Sequence, residues 1–441
     1  MGQEIPSSRF GEEDFTEFRH RLEAETRLLS RWFDAGRFTS PDTIGGLELE
    51  ACLLDAAGDP APRNQTLLEG FDEPLVVPEL ATFNLEFNTR ARPLHGDVFS
   101  RMADELGGLW RRCSARADEL ALQLGMIGIL PTLRPHMLTL ANMSPLNRYR
   151  ALNEQIFRLR NGQPISLSID GRESLQMRHE DVMLESAATS FQIHMQVDIS
   201  RAADLYNLSK IVSAPMVAIM TKRVSFGIRY VYESMMENFS ANLLRYPILL
   251  PLLMDEPVER LAHLRLHNGT IWRWNRPLIG FDEKQRPHLR IEHRVVPAGP
   301  SISDSIANAA FYFGLVTGLL EREDKPVEKL RFDRARSNFY AAAREGLQAQ
   351  VAWFDIERVP LGQLISEHLI GVAGQGLASL AIDPQEIAHW LGIVKARVAG
   401  ERTGAAWQRA WVARHGPDFH GLMQTYLAHQ ESGKPVHEWP V

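Results

Sequence analysis

Residues 44–55 read Ile-Gly-Gly-Leu-Glu-Leu-Glu-Ala-Cys-Leu-Leu-Asp. Apolar and acidic side chains alternate here, and alternate side chains of a strand point to opposite faces of a sheet. Glu48 and Glu50 therefore share one face while Leu47, Leu49 and Ala51 take the other. The same pattern returns three times. In residues 81–89, Asn84, Glu86 and Asn88 oppose Phe83, Leu85 and Phe87. In residues 191–198, Gln192, His194, Gln196 and Asp198 oppose Phe191, Ile193, Met195 and Val197. In residues 288–296, His288, Arg290, Glu292 and Arg294 oppose Leu289, Ile291 and Val295.

Each strand taken alone has a plainer reading, because a half-solvated antiparallel sheet also alternates apolar and polar residues. The four polar faces lack the Lys and Thr of an ordinary wet surface, however, and are rich in metal-ligand types. If Glu48, Glu50, Glu86 and Glu292 converge, each close pair repels by about 4 kcal/mol at intermediate dielectric. That repulsion raises their pKa values unless cations sit among them. Mg²⁺ suits the place: it prefers hard oxygen ligands and commonly bridges carboxylates to nucleotide phosphates. Arg273, Arg276, Arg290 and Arg294 add an arginine-rich rim of the kind that stabilises charge during phosphoryl transfer. No GxxxxGK[ST] loop occurs, so a nucleotide would not be held by a P-loop. The glycines of 371–376 are in the wrong order for a dinucleotide fingerprint and are expected to mark a helix end.

Around these strands the apolar spacing predicts an amphipathic helix at 13–35, a helix over 97–124 ending near Gly125, and another at 145–160 with Pro145 in its first turn. A hairpin is expected at 165–169, with Asp170 and Gly171 as turn residues. Beyond Pro300 the chain reads as almost wholly helical: 303–322, 326–350, 360–372 and 384–430. The class is therefore α+β with a largely antiparallel sheet. One catalytic domain over 1–441 is expected, with a sheet-forming core at about 40–300 and a helical region at about 301–441.

The chain's 441 residues are 44% hydrophobic and 23% charged, and its formal net charge of -7 argues against a broad surface for nucleic acid or anionic membrane. Cys52 and Cys113 stand far apart in no metal or disulfide pattern, which fits a reducing cytoplasm. No secretory signal is read at the start of the chain. The most apolar stretch, 242–254, holds Arg245, Pro247 and Pro251, is too short to span a bilayer, and reads as core.

The segments 46–50, 78–89, 133–140, 144–150, 190–197, 267–277 and 290–300 together resemble the bacterial glutamate–cysteine ligases, in particular their type 2 branch of carboxylate–amine ligases. They cover most of 44–310. The resemblance implies a glutamine synthetase-like core, a curved sheet forming a funnel with ATP at one end and amino-acid substrates at the other. It implies one Mg²⁺ at Glu50, Glu86 and Glu79, and a second at Glu48, His194 and Glu292. Arg294 would face the γ-phosphate, with Arg273 and Arg290 assisting at phosphate or substrate carboxylate. The implied reaction activates the γ-carboxylate of glutamate as an acyl phosphate, which an amine then attacks.

Other roles stay open. Gln192 and Gln196, like Arg276, are candidates for nucleotide contact, although both glutamines equally suit bonds to neighbouring strands. Trp272 and Trp274 suit packing or adenine stacking. Asn142, Ser144, Arg148 and Tyr149 suit the amino-acid end, with helix capping a sufficient account of Ser144. The expected partners are small molecules, a carboxylate and an amine, and self-association is left open. Two other functions compete: a guanidino-kinase-like phosphotransferase and a nucleotide-binding pseudoenzyme.

Overall fold

The computed structural model describes residues 4–39, 43–170, 174–218, 226–227 and 229–441. Its strands are β1 (Ile44–Leu54), β2 (Val76–Pro78), β3 (Asn84–Asn88), β4 (Arg92–Pro93), β5 (Gln123–Gly125), β6 (Ile165–Asp170), β7 (Ser174–His179), β8 (Ser190–Val197), β9 (Asn275–Phe281), β10 (Pro287–Pro297), β11 (Gln350–Trp353) and β12 (Ile356–Pro360). Among the described residues, eight strands form one sheet in the order β2-β3-β1-β8-β10-β9, with β4 and β5 also paired to β1. Every pairing is antiparallel, and the sheet curls into a half-barrel packed with helices, the α+β arrangement that the alternation predicts.

The apolar backs of the strands fix the register. Leu49, Phe87, Ile193 and Ile291 are all 0% exposed, each buried large side chain contributing roughly 1.5–3 kcal/mol. A slip of one residue would drive the carboxylates into this core, so pairing is strongly specified. Behind the sheet runs the Ile302–Arg322 helix, whose Tyr312 ring stacks on His293 of β10 at 4.3 Å between centroids. One continuous apolar cluster joins the sheet to the helices on either side of it, from Phe18 to Val398. A separate cluster under β6 and β7 includes Leu80, Tyr149, Leu152 and Leu250.

Several local expectations change. The Val98–Glu119 helix stops before Gly125, because residues 123–125 pair with β1 as β5. Pro145 precedes the Asn147–Leu159 helix and its N-cap Leu146, so it is outside the first turn. Asp170 is the last residue of β6, and Gly171 lies outside the described residues. The stretch 326–350 is broken into Pro326–Lys329 and Phe332–Glu345, after which the β11–β12 hairpin interrupts the helical region. Residues 384–430 form three helices, Pro384–Ala399, Gly404–His415 and Phe419–Glu431. The apolar stretch 242–254 is only partly core: Ile248 and Leu250 are buried, whereas Leu244 is 79% exposed. No described helix is long and apolar enough to cross a membrane.

The glycines of 371–376 lie inside the Ile370–Ser379 helix and do not end it. A Cβ at Gly376 would collide with the backbone of Gly314 and Gly318 on the Ile302–Arg322 helix, and a Cβ at Gly314 would strike the Ala373 carbonyl. These glycines exist because two helix backbones touch there. Gly376→Ala is therefore expected to destabilise the protein by about 1–3 kcal/mol through overpacking. Gly371→Ala, where an added Cβ meets nothing within 4 Å, should be neutral or slightly stabilising. Thermal unfolding midpoints of the two variants measure the difference, and equal midpoints would contradict the close crossing.

Candidate functional site

Register carries the polar side chains of four strands to one place. Glu50 stands opposite Glu86 of β3, and Glu48 stands opposite Asn88 on one side and Gln192 on the other. Glu292 stands opposite His194 of β8 and Arg276 of β9, and Arg290 is opposite Gln196. Carried one residue past the His293–Ile193 pair, the same register sets Arg294 beside Gln192, with Nη1 donating to Oε1 at 2.6 Å, before a β-bulge between His293 and Val296 interrupts it. The face is not a wet surface: Glu86 and Gln192 are 0% exposed and Glu292 is 1% exposed. The solvated-sheet reading fails on that burial.

Each carboxylate meets a different environment. Glu292 accepts two parallel bonds from Arg276, Nε at 2.7 Å and Nη2 at 2.8 Å, with Arg294 Nη1 3.4 Å away. Burial works against its charge, yet Arg276, Arg294 and His194 outweigh burial and hold its pKa well below the carboxylate range. Glu48 is likewise buried, but His194 Nε2 lies 3.0 Å from its Oε1, and the imidazole brings it down to about 2. Glu50 is occupied by this chain: Ser190 donates its backbone N–H at 2.6 Å and its hydroxyl at 2.7 Å, and Gln192 Nε2 donates at 3.0 Å. Burial also opposes the Arg294 charge, and Glu292, Glu50 and Glu48 more than reverse that, raising its pKa above ordinary arginine.

Glu79 and Glu86 go the other way. Burial, then the charge of Glu50, pushes Glu79 up to about 6. Burial, then Glu48 and Glu79, raises Glu86 well above its ordinary value. Glu79 accepts from the Leu80 N–H at 3.0 Å and from the Tyr149 hydroxyl at 3.4 Å, but its Oε1 has no partner, and neither do Glu48 Oε2 and Glu86 Oε2. His194 Nδ1 also has no partner, while its Nε2 faces Glu48 Oε1 at 3.0 Å. Buried polar atoms without partners are costly and uncommon. One atom each from Glu48, His194 and Glu292 lie within 4.8 Å of one another. A set of hard oxygens with one imidazole fits a divalent cation, and an oxygen-rich set suits Mg²⁺.

These groups border a cavity of about 750 Å³. Glu48, Glu50, Glu79, Glu292, Arg273, Arg276, Arg290 and Arg294 line it, whereas Glu86, His194, Gln192 and Gln196 are buried beside those residues. Arg273 is held by Asn242 Oδ1 at 2.7 Å and Asn238 Oδ1 at 3.3 Å, over the Tyr246 ring. Arg276 also reaches the Gly269 carbonyl at 2.9 Å, so its guanidinium is engaged within the protein. Arg290 keeps a buried Nε without a partner. Trp272 and Trp274 both line the cavity; Trp272 is 38% exposed, while Trp274 is buried and packs on Phe339. Arg148 and Tyr149 line the cavity, but Asn142 bonds to the Met137 carbonyl and Ser144 bonds to the Glu79 carbonyl, so neither helix capping nor the cavity uses them. Two residues went unnoticed in the sequence. Ser190 was legible, since it sits two positions before Gln192 on the same face; Arg265, on the Ala262–Gly269 helix, carries no periodic signal.

The curled antiparallel sheet and its helices make up a glutamate–cysteine ligase-like fold. In particular, the chain is similar in structure to glutamate–cysteine ligase of Francisella tularensis, solved in complex with AMP: TM-score 0.56, 12% identity, over 92% of this chain and 91% of that one. Weaker similarities are to the Pup ligase PafA in complex with Pup (TM-score 0.41, 10% identity, 88% and 72% covered) and to a bifunctional glutathione synthetase of Pasteurella multocida (TM-score 0.49, 10% identity, 95% and 55% covered). No protein-family profile and no curated protein sequence matches the chain.

Because Glu79 and Glu86 have raised pKa values, the folded protein keeps protons that the unfolded chain has already released above their ordinary value of 4.5. The stability of the metal-free protein should therefore fall as pH rises through about 6 and through the higher range of Glu86. A cation bound among them would replace those protons, so the rise in unfolding temperature on adding Mg²⁺ should be larger at about pH 8 than at about pH 6. Glu86→Gln should reduce that difference to the part that Glu79 supplies. A Mg²⁺ response that is absent, or that does not depend on pH, counts against the site.

Proposed function

We propose that the protein is an ATP- and Mg²⁺-dependent carboxylate–amine ligase that joins the γ-carboxylate of glutamate to an amine through an acyl phosphate. The observation that carries this reading is the buried cluster of Glu48, His194 and Glu292 opening into a cavity edged by Arg290, Arg294 and Arg276. The fold supports it, as does the set of partnerless oxygens on Glu48, Glu79 and Glu86. In this reading residues 1–441 act as one catalytic domain. The two buried free cysteines suit a cytoplasmic setting.

Glu48, His194 and Glu292 would hold one cation, and Glu50, Glu79 and Glu86 another. Bound Mg²⁺-ATP would supply the phosphoryl group that turns a carboxylate oxygen, a very poor leaving group, into phosphate. This chain's residues supply the setting. Arg294, fixed by Gln192 and Glu292, presents a preorganised positive charge toward the transferring phosphoryl oxygens. Arg273, braced by Asn238 and Asn242, and Arg290 assist at phosphate or substrate carboxylate. Gln192 and Arg276 act at one remove, by aligning Arg294 and Glu292. Burial keeps water from the activated acyl group. The amine nitrogen then forms the C–N bond, the C–O bond to phosphate breaks, and the nitrogen loses its proton.

ADP and inorganic phosphate should appear in equal amounts, and only with both L-glutamate and an amine present. Glu292→Gln and Arg294→Lys should each lower kcat by about 100- to 1,000-fold. ADP formed without free phosphate would indicate a guanidino-kinase-like transfer. Nucleotide binding without turnover over a broad panel of carboxylates and amines would indicate a pseudoenzyme.

A further inference from the structure

The cavity has two chemically unlike ends, and strand β10 gives the direction between them. Arg290, Glu292 and Arg294 follow one another along it at every second residue, and beyond them Pro297 pairs with Ser190, the residue that binds Glu50. The end at Arg290 is cationic. Arg265 from the Ala262–Gly269 helix lies there, and burial followed by the neighbouring charges of Arg260 and Arg290 lowers its pKa. Crowded guanidinium groups of this kind call for a polyanion, so a triphosphate belongs at that end.

The opposite end is acidic at its floor and apolar on its walls. Glu50 and Glu79 reach it, with Glu185 beside them and Arg148 the cation that lies next to Glu79 through Tyr149. Its walls are Leu80, Ile129, Leu152, Leu167, Ile169 and Leu184. Leu167 and Ile169 come from the β6–β7 hairpin, which forms a sheet of its own and pairs Leu167 with Met177 and Ile169 with Leu175. The alternate residues Ser166 and Ser168 face solvent. A two-stranded hairpin is marginal alone in water and needs an apolar surface against its own. Here that contact is incomplete: Leu175 stays 46% exposed and Ile129, across the mouth, 56% exposed.

We propose that the amine acceptor is a primary amine carrying an alkyl or aryl group. Its nitrogen lies at Glu185, the lining carboxylate that the cation sites do not use, and its tail lies between the β6–β7 hairpin and the wall formed by Leu80 and Leu152. The charge pattern excludes the nucleotide from this end, Glu185 suits an ammonium group, and the unfilled apolar surface suits a hydrocarbon tail. A small polar amine would leave that surface wet. This inference rests on the ligase reading above and adds the chemical class of one substrate.

The test is calorimetric titration of ethylamine, butylamine, hexylamine, phenethylamine and L-cysteine into the protein holding Mg²⁺, L-glutamate and a nonhydrolysable ATP analogue, alongside kcat/KM for each amine with ATP. Affinity and kcat/KM should rise about fourfold per methylene from ethylamine to hexylamine, the equivalent of about 0.8 kcal/mol for each buried CH₂. Leu167→Ser and Ile169→Ser should flatten that slope. A flat series in the unaltered protein, or L-cysteine preferred over every alkyl amine, overturns the inference while phosphate release still upholds the ligase reading. Absence of phosphate release with every amine overturns both.

Discussion

The structure depends on keeping five carboxylates together on the buried side of one sheet. Two unit charges a few ångströms apart in such a setting repel by several kcal/mol, and each group here is compensated differently. Glu292 has two guanidinium partners, Glu48 has an imidazole, and Glu50 has a serine and a glutamine. Glu79 and Glu86 have less, and their protons stay on to higher pH as a result. The oxygens left without partners, on Glu48, Glu79 and Glu86, are where a cation would complete the compensation. A buried pair such as Arg276–Glu292 adds little to stability overall, since desolvation offsets attraction, but losing either partner strands a buried charge.

That arrangement is expensive for the fold, and the compensation is apolar. Every strand that offers a carboxylate also places a large side chain on the reverse, against a core in which two helix backbones meet at Gly314, Gly318 and Gly376. The N-terminal helix packs Phe18, Leu22, Leu29 and Trp32 into that core and adds a buried acid. Glu25 of the Glu12–Asp34 helix accepts the Leu264 N–H at 2.7 Å and lies 2.6 Å from His263 Nδ1. It thereby holds the first turn of the Ala262–Gly269 helix, the element that carries Arg265 to the cavity. A charge far from the cluster thus sets where its cationic wall stands.

What was legible in the sequence was the part governed by period two. Glu48, Glu50, Glu86, His194 and Glu292 could be assigned to one face because alternation is a local property, and the predicted strands 44–55, 191–198 and 288–296 fall within two residues of β1, β8 and β10. The same spacing could not say whether that face was wet, since burial depends on what packs over it. Strand β9 was not read, because Pro277 and Gly280 break its apolar pattern, and its place is set by pairing with β10. Short β5 was absorbed into a helix, and β11–β12 were lost in a helical region, for want of enough residues to show a period. Arg276 reads as a ligand-facing rim residue in sequence, but the register points it at Glu292.

One strand largely orders the cavity. Along β10 the sequence Arg290, Glu292, Arg294 repeats a side chain on the same face about every 7 Å, so cation, anion and cation follow in a line. Arg290 keeps an unpartnered Nε, Glu292 has given both oxygens to arginine, and Arg294 donates to Gln192 within the field of Glu50. Regular register with β8 past the His293–Ile193 pair sets Arg294 against Gln192, beside the carboxylates of β1, and the bulge interrupts the pairing only beyond it. Unbroken alternation up to Arg294 is therefore a condition for the charge balance of the cluster.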